Sequence, residues 1–494
     1  MPRPLPRWLL PFYIFISGGC VLIIEVTAVR LLAIYFGNTL YMVSSILTVI
    51  LLALSVGYYY GGRWANPRPS LSLFFRFILF SGIGVMVLEL LHLTLMPWMG
   101  YALPLLSGPL MASMVLFFPA AFLLGLLTPY AIALQYYYTP NKGVGPISGT
   151  FFFFSTLGSI VGSLLTGFYL IPQFGVNTIL IATGVLLFLL GFLPLIDQQK
   201  INKRLLGLFL FFLFPTIFLF FQPTNSAVIY NKEGIYSHIL VYDSMKNDQP
   251  VRYLLRDKNN SSAIYLHSHQ PVFNYVKFYT AYQLALTAPR SILILGGGAY
   301  TLPQLYLTAL PKSNVDTVEI EPQLLTLAEQ YFQFKPSARF HNITEDARRY
   351  LKDHDKRYDL IFCDAFQSLF SIPFHLTTGT FFELIRDRLT PNGMVVANFI
   401  GSLAQDKVSF LWSAFRTFRM AFPESYFFAV NSPHSMGVQN FVAVGFVGNH
   451  KPISEYELAK QEVFLEPKVL RRYALLTDDY APVDYWVVET LKHP

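Results

Sequence analysis

About seven apolar runs in the first 222 residues constrain this chain more than anything else in it. They fall at roughly 9–35, 39–60, 72–96, 109–137, 146–171, 176–196 and 205–222, each near the ~20 residues an α-helix needs to cross a hydrocarbon core. Inside lipid the backbone polar groups of a segment have to be paired within it, so runs of this length are expected to be spanning helices. Residues 1–222 therefore read as an α-helical, multi-pass membrane domain, set in the lipid bilayer of the cell (inner) membrane. PRPLPRW, residues 2–8, leads straight into the first run, which fits a first spanning helix and not a removable leader.

The whole chain is 53% hydrophobic and only 13% charged, too apolar for an ordinary soluble enzyme, but the excess sits in the first 222 residues. The remainder mixes charge with apolar periodicity as a folded soluble domain does. A net charge of +7 raises nucleic acid as a partner; the basic residues flank apolar runs instead of forming a stripe, which argues for membrane and against nucleic acid. Cys20 and Cys363 lie in different halves, so neither a disulfide framework nor a CxxC metal site is expected, and no metal is assigned.

Within the apolar half, Gly57 and Gly61, and Gly158 and Gly162, have the spacing that lets helix backbones approach closely. Tyr58 to Tyr60 with Trp64, and Tyr136 to Tyr138, stand at run ends, where amphipathic rings favour the headgroup layer. Glu25, Arg30, Glu89 and His92 are ionisable residues inside runs; they either line a polar cavity or are paired or reach an interface. Arg3 and Arg7, Arg63 and Arg68, Lys142, then Lys200, Lys203 and Arg204 fall in alternate loops, which places those loops and the N-terminus in the cytoplasm. An odd number of spans then puts the C-terminal half outside and an even number keeps it inside.

After the polar linker QPTNSAV, residues 223–270 read as a small antiparallel β layer: SAVIY, YSHILVYD, VRYLLRD and SAIYLH alternate and are separated by turn residues. Helical spacing is expected in PVFNYVKFYTAYQLAL. From Ser291 strands and helices alternate, with SILILG, VDTVEIE, RFHNIT, YDLIFCD and GMVVANF as strands, so 271–494 is expected to be a parallel, doubly wound α/β domain. Ligands of such sheets bind at the carboxyl ends of the strands.

Gly296, Gly297 and Gly298 close the first of these strands, Glu319 and Glu321 the second; Glu345 and Asp346 follow the third, and Asp364 ends the fourth. Glycines there permit a tight turn and close backbone approach, a carboxylate at the second strand end can accept from ribose hydroxyls, and Asp346 can accept from an adenine amino group. Each acid can instead cap a helix. The loop reads G-x-G-x-x-T across Gly296, Gly298 and Thr301 without the third glycine of a dinucleotide fingerprint, so an adenosyl ligand lacking a pyrophosphate fits better.

In order and spacing, GGGAYTLPQL, VDTVEIEP, TEDARRYL, YDLIFCDAF and LTPNGMVVANF resemble the spermidine synthase family of aminopropyltransferases, a branch of the class I methyltransferase (Rossmann-like) fold. The resemblance covers about 228–485 and is closest to membrane-fused spermidine-synthase-like proteins, through EVTAVRLLAIYFGNTLY, SIPFHLTTGTFF and LTDDYAPVDYW. It implies a transferase of polyamine biosynthesis that moves an aminopropyl group from decarboxylated S-adenosylmethionine to a small amine, often as a homodimer. It also implies that Gly296 to Gly298 and Glu319 hold the donor's tail and ribose, that Asp346 holds its adenine, that Asp364 is the base and that Tyr275 orients the amine.

Three departures from the family pattern fall on the amine side. Ala299 stands where the loop usually has Asp, Gln367 replaces the second carboxylate of a DxxD pair that begins at Asp364, and Ser261 stands where a glutamine is usual. Two alternatives follow: methyl or aminocarboxypropyl transfer from intact S-adenosylmethionine to a membrane substrate, and a non-catalytic transporter or sensor with a nucleoside-binding domain.

Overall fold

The computed structural model describes residues 8–66, 68–197, 203–221, 227–257, 259–365 and 372–490. The chain falls into two compact units, Met1–Thr224 and Asn225–Pro494.

The first unit is all helix: α1 (Leu9–Phe36), α2 (Leu40–Trp64), α3 (Leu71–Thr94), α4 (Met96–Ala102), α5 (Gly108–Gly125), α6 (Leu127–Tyr138), α7 (Val144–Leu165), α8 (Ile171–Phe174), α9 (Val176–Asp197) and α10 (Lys203–Phe220). Thr39 and Ser70 start α2 and α3 by accepting from the amides of Met42 and Leu73. Among the described residues six helices are long and apolar enough to cross a membrane; the fourth runs through α5 and α6, the fifth through α7 and α8. The seventh expected run forms α10, whose apolar part, Arg204–Phe220, is shorter than the other six. At 1.5 Å per residue it reaches about 25 Å, short of a hydrocarbon core of ~30 Å. Both glycine pairs lie at helix crossings: side chains at Gly158 and Gly162 would strike the backbone of α1 at Phe15 and Gly19, and ones at Gly57 and Gly61 that of Phe122 and Leu126.

The second unit opens with an antiparallel meander of β1 (Val228–Glu233), β2 (His238–Lys246), β3 (Gln249–Arg256) and β4 (Asn259–Tyr265), tied across one face by the stacked Tyr242 and Tyr253 rings. Asn274–Leu284, expected to be α-helical, is a 3₁₀ helix. Its Tyr, Phe, Val and Thr residues lose side-chain freedom in an α-helix, and six of the eleven positions are buried.

A seven-stranded sheet follows, with β5 (Ser291–Leu295), β6 (Asn314–Glu319), β7 (Phe340–Thr344), β8 (Tyr358–Cys363), β9 (Leu389–Gly401), β10 (Ser425–Ala429) and β11 (Gln439–Phe446) in the order β10-β11-β9-β8-β5-β6-β7. Strands β5 to β9 pair in parallel as expected, whereas β10 and β11 are antiparallel additions that the strand and helix alternation did not show. Helices α11 (Thr301–Ala309), α12 (Gln323–Tyr331), α13 (Ala347–Asp353), α14 (Gly379–Asp387) and α15 (Phe410–Ala421) cover the sheet; α16 (Pro467–Leu470) and α17 (Val483–Thr490) end the chain. Residues of β5 alternate between two cores: Leu293 and Leu295 pack with α14 and α15, Ile292 and Ile294 with the 3₁₀ helix and α11. Burial on both faces explains why SILIL is apolar throughout. The chain winds outward from β5 to β7 and returns to β8 on the other side of β5, so the sheet's order reverses between β5 and β8. A crevice for ligand belongs there.

Candidate active site at the switch between β5 and β8

The glycine loop leaves β5 with Gly296 at φ +102° and Gly298 at φ +52°. Its path is fixed on both sides: Gly296 N donates to Val318 O of β6 at 2.9 Å, and Asp364 N, beyond β8, donates to Leu295 O at 2.8 Å. A side chain at Gly296 would strike the carbonyl oxygen of Asp364, and one at Gly298 would come within 2.6 Å of Ser262 Oγ on β4. Glycine is required at these two positions by conformation and by space together.

Glu319, 3% exposed, holds the loop from below. Its Oε2 accepts from Gly297 N at 2.9 Å and Gly298 N at 3.4 Å, and its Oε1 from Glu321 N at 2.9 Å. Arg256 of β3, 5% exposed, brings Nη1 to 3.5 Å from Glu319 Oε1, so the carboxylate is charged-paired inside the protein. Glu321, expected beside the donor, uses its carboxylate elsewhere: Oε1 and Oε2 accept from the backbone of Ile235 and Tyr236 at 3.1 and 2.9 Å, pinning the β1–β2 turn to the sheet.

Tyr300, odd for a nucleotide loop, sits at φ +56° and is fully buried. Its ring lies 5.2 Å from that of Phe334, and its hydroxyl donates to Asn342 Oδ1 at 2.7 Å. A side chain at Gly297 would meet this ring at 2.8 Å, so the tyrosine fills the space beneath the loop. Ala299 is 1% exposed, and its amide donates to Ser262 Oγ at 3.1 Å. Ser262, not Ser261, is the β4 residue in hydrogen-bond contact with the loop.

Asp364 is clasped from two directions. Tyr275 OH donates to its Oδ2 at 2.8 Å and Asn398 Nδ2 to its Oδ1 at 2.9 Å; Asn440 Nδ2 in turn donates to Asn398 Oδ1 at 3.0 Å. Burial pushes the Asp364 carboxyl up to about 6, against the two donors that favour its charged form, with Glu319 adding a smaller upward push. Burial and the adjacent carboxylate push the Tyr275 hydroxyl up as well, which keeps it a donor. A carboxylate so placed can take a proton near neutral pH.

Asp346 caps α13 by accepting from Arg349 N at 3.0 Å, and its other oxygen lies 3.1 Å from His375 Nε2. The hydrogen bond from His375, with those from helix amides, holds it below the usual carboxylate range despite partial burial. Two phrases far apart in the chain meet here. Arg348 forks onto Asp478 of LTDDYAPVDYW at 2.8 and 2.6 Å and also donates to His375 O of SIPFHLTTGTFF, while Thr378 OH donates to Asp478. Gln367 lies outside the described residues.

The structure thus brings Gly296 to Gly298, Glu319, Tyr275 and Asp364 together, with Asp346 held by its helix cap and His375. Sequence reading missed Asn398, Asn440, Arg256, Ser262 and His375; an asparagine inside the otherwise apolar GMVVANF was the available signal for the first. Among the described residues no cluster of His, Cys, Asp or Glu is suited to a metal.

A parallel sheet with a glycine loop after its first strand, an acid ending the second and an acid after the fourth defines a methyltransferase-like α/β unit. Residues 274–444 match the sequence profile of the spermine/spermidine synthase domain. A polyamine aminopropyltransferase of Vibrio vulnificus is 32% identical over 231 residues, 45% of this chain and 74% of that protein. A probable polyamine aminopropyl transferase of Bifidobacterium longum is 34% identical over 186 residues, 36% of this chain and 38% of its own length. A crystal structure of a probable spermidine synthase from Corynebacterium glutamicum aligns at 23% identity and TM-score 0.38, covering 46% of this chain and 81% of that one. The chain belongs to the spermine/spermidine synthase family.

Proposed function

We propose that the protein is a membrane-bound aminopropyltransferase, moving the aminopropyl group of decarboxylated S-adenosylmethionine to a small amine. The observation that carries this is Asp364, a carboxylate raised toward neutrality and aimed by Tyr275 and Asn398 beside the glycine loop. Glu319 accepts from the donor's ribose hydroxyls and Asp346 from its adenine amino group. Asp364 takes a proton from the acceptor's ammonium. The freed nitrogen pair forms a C–N bond to the carbon beside the sulfonium as the C–S bond breaks, and methylthioadenosine leaves with the electron pair on sulfur.

Full-length protein given decarboxylated S-adenosylmethionine and a panel of di- and polyamines should release methylthioadenosine, and Asp364→Asn should release it at least ~100-fold more slowly. No release with any amine refutes the assignment. Ala299 favours a second reading, transfer from intact S-adenosylmethionine, because the buried methyl group offers no anchor for a propyl ammonium. Calorimetry with both donors separates the two: tighter binding of the intact donor establishes the second.

Six long apolar helices among the described residues support a multi-pass membrane location, and the basic residues of alternate loops support placing both ends of the span array on the cytoplasmic side. Cys20 and Cys363 are buried, so one engineered cysteine at Ser268 can report the side. Labelling by an impermeant maleimide only after the cells are opened supports a cytoplasmic site; labelling in intact cells overturns it.

A further inference from the structure

Glu89 and His92 differ from several other buried polar side chains of the helical unit. Thr27, Ser81, Thr166 and Thr183 are buried in the same bundle, and each returns its hydroxyl to a carbonyl three or four residues earlier. Glu89 is 0% exposed, and neither carboxylate oxygen has a hydrogen-bond partner among the described residues. His92, 7% exposed and one turn further along α3, carries an equally unpartnered Nδ1. That nitrogen lies 3.7 Å from Glu89 Oε2, too far for a direct hydrogen bond and near enough for one group with two N–H donors to reach both atoms. A third unpartnered buried oxygen, Ser113 Oγ, is carried by α5, which packs against α3.

Helix register shows which way Glu89 faces. Helices α3 and α9 are antiparallel: a side chain at Gly191 would meet Leu79 N at 2.5 Å, and one at Gly184 would meet Gly82 O at 3.2 Å. Glu89 is one heptad beyond Gly82 on this face, which sets it opposite the first turns of α9 and away from lipid. A carboxylate left in that position without donors is strongly disfavoured unless something supplies them.

We infer that Glu89 and His92 form a binding site inside the helical unit for a protonated amine. Its ammonium carries three N–H donors. One reaches a Glu89 oxygen and a second the lone pair of His92 Nδ1, with the imidazole proton on Nε2. An anion is excluded by the carboxylate, and a hard divalent cation calls for more oxygen ligands than one carboxylate provides. The choice of an amine over another small cation rests on the aminopropyl-transfer reading, since that reaction consumes and releases alkylamines.

The test is equilibrium binding of radiolabelled 1,4-diaminobutane to the full-length protein in lipid nanodiscs. An Asp364→Asn background sets aside the amine site of the soluble unit. That background should still hold one equivalent of amine. Adding the near-isosteric Glu89→Gln, with gel filtration as the check that it folds, should weaken binding roughly ten- to hundredfold, as expected for loss of a charged hydrogen-bond partner. His92→Gln is the second variant and should weaken it in the same direction. Unchanged binding in both variants, or no amine held by the Asp364→Asn protein, overturns the inference. Failure of the transferase reading shows separately, as absence of methylthioadenosine release from the unmodified protein.

Discussion

Replacing Tyr275 with Phe tests the geometry around Asp364 more directly than removing Asp364 itself. The variant deletes one oxygen and leaves the ring, which stacks near Phe273 at 6.4 Å, in place. Asp364 titrates at about 6, raised by burial and restrained by hydrogen bonds from Asn398 and Tyr275. A hydrogen bond to a charged group is worth about 1.5–3 kcal/mol, and one pKa unit is about 1.36 kcal/mol, so losing the tyrosine donor should raise the carboxyl by roughly one to two units. The donor favours the ionised form, which is the form that acts as base; without it, ionisation needs a higher pH. The acid limb of kcat/KM, with its midpoint near 6 in the native protein, should therefore move to about 7–8, while the rate well above that pH falls far less. Initial rates of methylthioadenosine release between pH 5 and 9.5 measure both. A limb that stays near 6 in the variant, or one that moves downward, refutes the assignment of Asp364 as the titrating base held by this hydrogen bond.

Gly296→Ala should lower kcat/KM on the order of 100-fold, because its methyl group strikes the Asp364 carbonyl and misplaces the base; steady-state kinetics check this, and near-native rates count against the contact. Arg256→Met removes the charged partner of buried Glu319, so donor affinity should fall by at least about tenfold, read by calorimetry on the full-length protein. Ala299→Asp places a carboxylate at a site that is 1% exposed; thermal stability without ligand should drop, and decarboxylated S-adenosylmethionine should restore more of it than the intact donor does. Equal rescue by the two donors would show that this position does not face the tail.

The residues that sequence reading located are those whose signal is local. Gly296 to Gly298 follow an apolar strand, Glu319 ends the next one and Asp364 ends the fourth, and a parallel α/β sheet carries all three to one crevice by topology alone. Helix lengths in the first unit were legible for the same reason, although α10 is shorter over its described residues than the other long apolar helices. What stayed hidden depends on register between strands distant in sequence. Asn398 and Asn440 meet because β9 and β11 pair antiparallel, an arrangement with no strand and helix alternation to announce it. Arg256 reaches Glu319 only because the small sheet folds back onto β6, and nothing in VRYLLRD distinguishes an arginine bound inward from one in solvent. Glu321 shows the converse: an acid in a promising position whose carboxylate is used up by two backbone amides of a turn 85 residues earlier.

Ala299 and Tyr300 have to be read as a pair. Their neighbours already fill the space on both sides of the loop, with Tyr300 beneath Gly297 and Ser262 against Gly298 and the Ala299 amide. In such packing a larger residue at 299, a position only 1% exposed, has to displace a neighbour. The contacts made by Glu319 and Asp364 involve other residues: Glu319 holds Gly297 and Gly298, and Tyr275 and Asn398 hold Asp364. On the transferase reading, substitutions at Ser262 and the loop should change donor affinity, whereas substitutions around Asp364 should change the rate of proton transfer, so the two places should change different kinetic constants.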